Sequence, residues 1–343
     1  MVLTVTPNPA VDVTYLVDGV EPGTSHRVPT PLYRAGGKGL NVSRVAHQQG
    51  SPTLAVTTAG GASGAQLADD LVASGIPHRL VPVASATRRT IALVDTVSGL
   101  TSIFNEAGPA LSSAEWQALA DAVVDALDGL DRLDGRPADG WADGGQADGR
   151  ADGGQAVGAP RPGVLVGSGS LPENAPADFY PGLVALAHRA GIPAVIDTSG
   201  AGIMAAARAG ADLLKPNHHE LMEATGETDL VAAARKLLDL GARRVLVSVG
   251  EEGMLAFEAG RAGHLQARLP APLAGNPTGA GDAAVAAAAV ALANGTTDLP
   301  GILRLATSWS AAAVLMPGAG EISPRHATLA GQLIVTDHPV TEH

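Results

Sequence analysis

Cysteine is absent from all 343 residues, which excludes disulfides, thiolate nucleophiles and Cys-ligated metal sites. Aromatic residues are scarce as well, at 3%, so a core must be assembled from Ala, Val, Leu and Ile. Such side chains suit a buried parallel sheet covered by alanine-rich helices. Long apolar runs are also missing: the longest, Ala283 to Ala293, falls far short of the ~20 residues that a membrane-spanning helix needs. Basic residues are outnumbered, 22 Lys+Arg against 34 Asp+Glu, giving a formal charge of −12. That balance argues against nonspecific binding to nucleic acid or to an anionic membrane surface. It leaves room for an anionic small molecule, because a pocket can be locally basic. No basic stretch precedes an apolar one near Met1, so no secretory signal is expected and a cytoplasmic protein is the simplest reading.

What the chain does have is an alternation of short β-branched runs with helical periodicity. Strands are expected over 2–6, 11–17, 53–58, 164–166, 194–197, 213–215 and 244–249. Helices are expected over 39–49, 64–74, 113–127, 177–189, 230–240, 283–293 and 302–315. Strands separated by helices of this length predict an α/β fold with a doubly wound, mostly parallel sheet flanked by helices. Residues 90–95 and 100–105 read as a hairpin turning at Val97-Ser98-Gly99. With the segment 11–34 it predicts a small accessory sheet, its lid strands at about 11–34 and 88–105.

One large domain is thus expected over 1–333, with 334–343 as a C-terminal tail. Residues 134–163 repeat Ala-Asp-Gly units with almost nothing to bury, which predicts a disordered low-complexity insert. Its spacing lacks the alternation of a cation-binding loop. It enters ahead of the strand at Val164, opposite the strand ends where ligands of such sheets bind.

The glycine- and carboxylate-rich segments fall at those ends. Thr278-Gly279-Ala280-Gly281-Asp282 precedes the alanine segment, so backbone N–H groups can approach an anion at a helix start and a carboxylate can stand beside it. Ala35-Gly36-Gly37-Lys38-Gly39-Leu40-Asn41 is a glycine loop with a cation and an amide at its mouth, without the spacing of a P-loop. Asp12 follows the first turn, where a carboxylate can accept two hydroxyl protons. Arg88 and Arg89 open the hairpin and Arg27 lies in the first accessory segment; alternation lets only one of the adjacent pair face a site. Lys215-Pro216-Asn217-His218-His219-Glu220 closes a strand with a cation, an amide and a carboxylate, and its two adjacent His side chains diverge too far for a metal pair. Ser248-Val249-Gly250-Glu251-Glu252-Gly253 ends another strand with small residues suited to a nucleotide. Taken singly, each has a purely structural reading as a cap, a turn or an edge charge.

Together and in this order, the segments resemble the phosphofructokinase B family of ribokinase-like carbohydrate kinases. Asn8-Pro9-Ala10-Val11-Asp12, the 35–41 loop, Lys215-Pro216-Asn217 with Glu220, and Thr278 to Asp282 carry the resemblance, and Gly167-Ser168-Gly169-Ser170-Leu171-Pro172 adds to it. The resemblance covers the whole chain apart from 134–163, and its opening is most similar to 1-phosphofructokinases and tagatose-6-phosphate kinases. It implies a ribokinase-like sheet with a β-sheet lid, ATP and Mg²⁺ as cofactors, and ATP-dependent phosphorylation of a ketohexose phosphate. Fructose 1-phosphate is the expected substrate and tagatose 6-phosphate the alternative. A neutral-sugar kinase and a non-catalytic sugar-phosphate sensor stand as rivals.

The resemblance also implies roles. Asp282 would be the base, needing no raised pKa, and Gly279, Ala280 and Gly281 the anion hole. Asp12, Gly37 and Asn41 would hold sugar hydroxyls. Lys38, Arg88 and Arg27 would hold the substrate's own phosphate. Lys215, Asn217, Ser248, Gly250 and Gly253 would border ATP, with the segment after Ser308 near the adenine, and Glu220 would position Mg²⁺ through water. An exposed lid face would suit a homodimer.

Overall fold

The computed structural model describes residues 1–128 and 163–339, so the repeat-rich insert lies outside the described residues except for Gly163. A ten-stranded sheet forms the frame. Third from one edge lies β1 (Val2–Thr6), with β4 (Thr53–Ala59) and then β5 (His78–Pro82) beyond it. On the other side follow β8 (Val164–Ser168), β9 (Ala194–Asp197), β10 (Leu213–Leu214) and β11 (Arg244–Ser248). These seven strands are parallel. The order reverses at β1, where the chain first winds toward β5 and later toward β11, so the crevice for a ligand opens between β1 and β8. Asn8 and Ser170, just beyond those two strands, are joined there by a 3.1 Å hydrogen bond from Asn8 Nδ2.

Three further strands, β12 (Met254–Glu258), β13 (His264–Arg268) and β14 (Ile334–His338), extend the sheet in antiparallel fashion. None of them was expected, and β14 occupies the segment read as a tail. The sequence here is short and polar on one side, so no strand period stands out; pairing with β13 from His264↔His338 to Arg268↔Ile334 supplies the order instead. Helices α5 (Ala201–Arg208) and α10 (His326–Gln332) were likewise unforeseen, being too short for a periodic signal.

The two faces of the sheet bury different materials. One packs against α3 (Ser113–Asp128), α4 (Phe179–Arg189), α5 and α7 (Leu230–Asp239), whose Leu, Val and Ile side chains join the few aromatics, Trp116, Tyr180 and Phe257. The other lies under α1 (Lys38–Gln48), α8 (Ala280–Ala293) and α9 (Leu299–Val314). Here α8 is buried on every side: Ala283, Ala284, Val285, Ala286, Ala287, Ala288 and Ala289 are all inaccessible to solvent. A helix apolar all round belongs in the interior, and the methyl side chains let α1, α9 and the sheet close on it together. Among the described residues, no helix is long and apolar enough to cross a membrane.

The accessory sheet has the order β3 (Leu32–Gly36), β2 (Ala10–Val17), β6 (Arg88–Asp95), β7 (Thr101–Asn105). Its inner side, Val11, Val13 and Ala35, packs on Leu67 and Leu71 of α2 (Gly61–Ala73). Tyr33 and Phe104, in register with Val13 on that same face, and Ile103 on the opposite face all stand in solvent, and β7 is exposed along its whole length.

The alanine seam yields a stability prediction. Ala286→Leu adds methylenes where neighbours close in from all sides, and should cost about 1–3 kcal/mol by overpacking. A denaturant midpoint unchanged from wild type would show that the seam holds spare room.

Candidate active site

The loops beyond β1, β8, β9, β10 and β11 converge on the N-terminal turns of α1 and α8, and the functional side chains gather there. The first turn of α8 begins at Gly279, whose φ of 83° favours glycine. A side chain there would also lie 2.7 Å from Ala319, so both backbone shape and space demand hydrogen. No side chain caps this helix. Its first-turn amides therefore face an open cavity with the positive end of the dipole. Lys215, buried at the end of β10, brings its Nζ to 3.2 Å from where a side chain on Gly281 would begin. A cation and a set of backbone donors thus share one spot.

Asp282 stands in the same turn and is buried. Its Oδ2 accepts a 2.8 Å hydrogen bond from Asn41 Nδ2, across from the first turn of α1. Burial pushes its pKa up to about 6, aided by the charge of Asp197 and opposed by Lys38, the Asn41 hydrogen bond and Lys215. The proposed chemistry does not require a raised value, yet removal from water outweighs the nearby cations here.

Asp197 is the site residue that the sequence reading missed. It ends β9 almost fully buried, with Oδ1 3.2 Å from Lys38 Nζ and 3.9 Å from Lys215 Nζ, and with Oδ2 unpartnered. An apolar strand ending Val195-Ile196-Asp197 at the carboxyl edge of a parallel sheet was the available signal. Lys38, expected beside the substrate's phosphate, is paired with Asp197 and lies 3.6 Å from Glu220 Oε1. These carboxylates raise its pKa against the lowering effect of burial.

Asn217 and Glu220 form a reciprocal capping box on α6 (His218–Thr225), each side chain accepting from the other's backbone N–H at 2.9 Å. This leaves Glu220 Oε1 free toward the cavity. His218 and His219 lie ring to ring at 3.8 Å, and among the described residues no group of three His, Asp or Glu could hold a metal. The cavity, of about 680 Å³, runs from Lys38, Asp197, Lys215 and Asp282 past Ser248, Gly250 and Gly253 to an apolar wall. That wall comprises Leu269, Leu273, Ala311 and Val314, which is where the segment after Ser308 was expected.

The other end of the site belongs to the lid. Asp12 on β2 lies against Gly36, its Oδ2 2.1 Å from the position of a Cβ, so a side chain there would displace the Asp12 carboxylate. Burial pushes Asp12 up to about 6, opposed by Thr90, Arg88, Arg34 and Arg44. Arg88 donates to the carbonyls of Glu106 (3.2 Å) and Asn8 (3.4 Å), while its buried Nε has no partner. It borders a second cavity of about 340 Å³ with Ser63, Arg89 and Glu106. Arg89 is exposed and lines the same cavity. Arg27 is exposed in the 18–31 segment and makes no ion pair among the described residues.

A proton acceptor, an anion pocket and two lysines at one end of a nucleotide-sized cleft move a phosphoryl group onto a hydroxyl. The protein is a phosphotransferase. More particularly, it belongs to the pfkB family of carbohydrate kinases, whose family model matches residues 7–133 and 162–326. The ATP-dependent 6-phosphofructokinase isozyme 2 of Mycobacterium tuberculosis (strain CDC 1551 / Oshkosh) is 33% identical over 323 residues, covering 92% of this chain and 85% of its own. The 1-phosphofructokinase of Xanthomonas campestris pv. campestris is 33% identical over 342 residues, covering 97% of both. Among solved structures, phosphofructokinase-2 from Escherichia coli in complex with potassium matches with a TM-score of 0.80 at 26% identity, over 96% of this chain and 98% of that one. The expected ribokinase-like fold, with its mostly parallel sheet, flanking helices and small second sheet, is the fold observed.

Two outcomes follow for the carboxylates. Asp282→Asn should lower kcat by about 10²–10⁴-fold in a coupled assay, the usual contribution of a positioned base. Asp282 accepts a proton only when ionised, and its pKa is about 6. After correction for the substrates' own ionisation, kcat/KM should therefore fall as pH drops through 6; a limb near pH 4 would contradict this.

Proposed function

We propose that the protein transfers the γ-phosphoryl of ATP to the free primary hydroxyl of a ketohexose phosphate, with fructose 1-phosphate giving fructose 1,6-bisphosphate as the preferred reaction. The observation that carries this reading is Arg88. Its buried Nε has no hydrogen-bond partner among the described residues, and its charge acts on Asp12 in the lid. A phosphate already on the substrate satisfies that donor, whereas a neutral sugar leaves it buried and unpaired at a cost of about 1–3 kcal/mol. A non-catalytic sensor has no use for a buried acceptor such as Asp282.

In this mechanism Asp12 and Asn41 orient the sugar, and Arg88 holds its phosphate. The hydroxyl oxygen forms its bond to the γ-phosphorus as the bond to ADP breaks, and the hydroxyl proton passes to Asp282. The α8 amides, Lys215 and Lys38 stabilise charge on the moving group, which is where most acceleration arises for a loose transition state. Glu220 Oε1 and Asp197 Oδ2 would hold a hydrated Mg²⁺, which would supply neutralisation of phosphate charge. The apolar wall of Leu269, Leu273, Ala311 and Val314 suits the adenine. ATP as donor suits a cytoplasmic enzyme.

A second reading, fructose 6-phosphate as substrate, draws on the Mycobacterium tuberculosis relative, named for 6-phosphofructokinase activity at the same identity as the 1-phosphofructokinase from Xanthomonas. The longer shared coverage of the latter, and the opening Thr6-Pro7-Asn8-Pro9-Ala10-Val11-Asp12, favour the 1-phosphate. We also infer a homodimer through the lid, where Ile103 and Phe104, on opposite faces of β7, stand 46% and 57% exposed.

Turnover should rank fructose 1-phosphate above tagatose 6-phosphate and fructose 6-phosphate, with free sugars last; no turnover of any phosphorylated ketohexose would sink the reading. Arg88→Ala should raise the KM for the sugar phosphate about ten- to a hundredfold with a smaller change in kcat, since one charge-assisted contact is lost. For the dimer, Phe104→Glu should shift the sedimentation coefficient to that of a monomer.

A further inference from the structure

The loop after α9, residues 317–322, holds none of the reacting groups, yet it touches the elements that do. Ala319 fills the space beside Gly279, 2.7 Å from where a side chain would begin. Gly320, at φ +81°, leaves 3.2 Å between its Cβ position and Asn41 Oδ1, and 2.9 Å to Arg44 Cδ. Asn276 Nδ2 donates to the Pro317 carbonyl at 2.9 Å. Gln48 of α1 brackets Ile322 from both sides, donating to its carbonyl and accepting from its N–H at 3.1 Å each. The loop is therefore a wedge between the first turns of α1 and α8, resting on the amide that holds Asp282.

One further contact reaches the wedge from the lid. Arg34 on β3 donates from Nη1 to the Ala319 carbonyl at 2.7 Å and pairs through Nη2 with Glu321. On its other side, Arg34 is in register with Asp12 across the β3–β2 ladder. The guanidinium thus bridges the strand next to the sugar carboxylate and the backbone that shapes the anion pocket. We infer that Arg34 is a positioning residue that latches the lid to the 317–322 loop, so that the lid's placement over the sugar and the width of the pocket at Gly279 are set together.

The physical case rests on geometry rather than on stability. Both side chains of the pair are about one third exposed, at 33% and 32%, and such pairs add little to folding free energy. A planar fork that grips a carbonyl and a carboxylate at once nevertheless fixes direction, which a lysine ammonium does not. The groups it aligns are sensitive to misplacement, since reacting atoms must meet within about 3–3.5 Å. A lid uncoupled from the pocket also admits water as a competing acceptor.

The test uses the full-length protein and four variants: Arg34→Ala, Arg34→Glu, Glu321→Arg and the charge swap Arg34→Glu with Glu321→Arg. Hydrogen exchange on the free protein reads the latch without reference to substrate. Amides of 318–322 should exchange about tenfold faster in Arg34→Ala, with those of β1 unchanged. Each single variant should lose about tenfold in kcat with ATP and the sugar phosphate. ATP consumed per sugar phosphorylated should rise above one, which a merely structural role would not produce. The charge swap should exceed both charge-reversal single variants, because opposite charges meet again across the gap, while staying below wild type because a carboxylate cannot donate to the Ala319 carbonyl. Unchanged exchange at 318–322, or a swap no better than the more active charge-reversal single variant, overturns the inference. The inference rests on the kinase reading for its kinetic readout only, so a wild-type protein without turnover removes that reading while exchange still decides the latch.

Discussion

The hydrogen bond from Asn41 to Asp282 joins the N-terminal turns of α1 and α8 at the carboxyl edge of the sheet. Two helices 241 residues apart in the chain thereby aim their positive ends at one place. Each approach depends on small residues: Gly39 leaves α1 against Thr6 of β1, and the alanines of α8 let it sink between α1 and α9. Without that close approach, the amides of Gly279 and Gly281 would open onto solvent, where water screens them, rather than onto a walled cleft.

A place so favourable to anions is also a place where buried charges must be balanced. Asp197, Asp282 and Glu220 meet Lys38 and Lys215 within one cavity. The balance is unequal: Asp282 is pushed up to about 6 while Lys38 is pushed up as well, each responding to the carboxylate of Asp197. Asp197 thus raises both Lys38 and Asp282, adding for Asp282 to the larger effect of burial. At the lid end, Asp12 rises to about 6 even though Thr90, Arg88 and Arg34 oppose the rise, so burial governs both carboxylates in the same way.

Much of this arrangement was legible in the chain because parallel sheets announce themselves. The strands from β1 to β11 that are bounded by glycine turns and separated by long helices fell within a few residues of their expected places. The glycine-rich loops fell at strand ends, where the topology puts ligands, so Asp12, Asn41, Lys215 and Asp282 could be named. The rest was hidden for physical reasons. β12 to β14 owe their order to pairing partners rather than to local period, and β14 joins a partner about seventy residues earlier. Asp197 is a single residue outside any glycine loop. Arg34 resembles an edge charge, and only its contact with Ala319 and Glu321 separates it from one.

The lid's central ladder carries a consequence for how the chain acquires activity. β2 pairs in parallel with β6 from Ala10↔Arg88 to Val17↔Asp95, so Asp12 meets Thr90 only after the whole of α1 and α2 has been laid down between them. β1 in turn waits for β8, and Asp282 arrives last of all. Pairings this remote in sequence close large loops and form slowly. On the ribosome, the sugar end of the cleft is therefore assembled long before the phosphoryl end. Through that interval the first strand carries an unpaired edge facing the place of β8, which makes the nascent N-terminal half a natural client for chaperones.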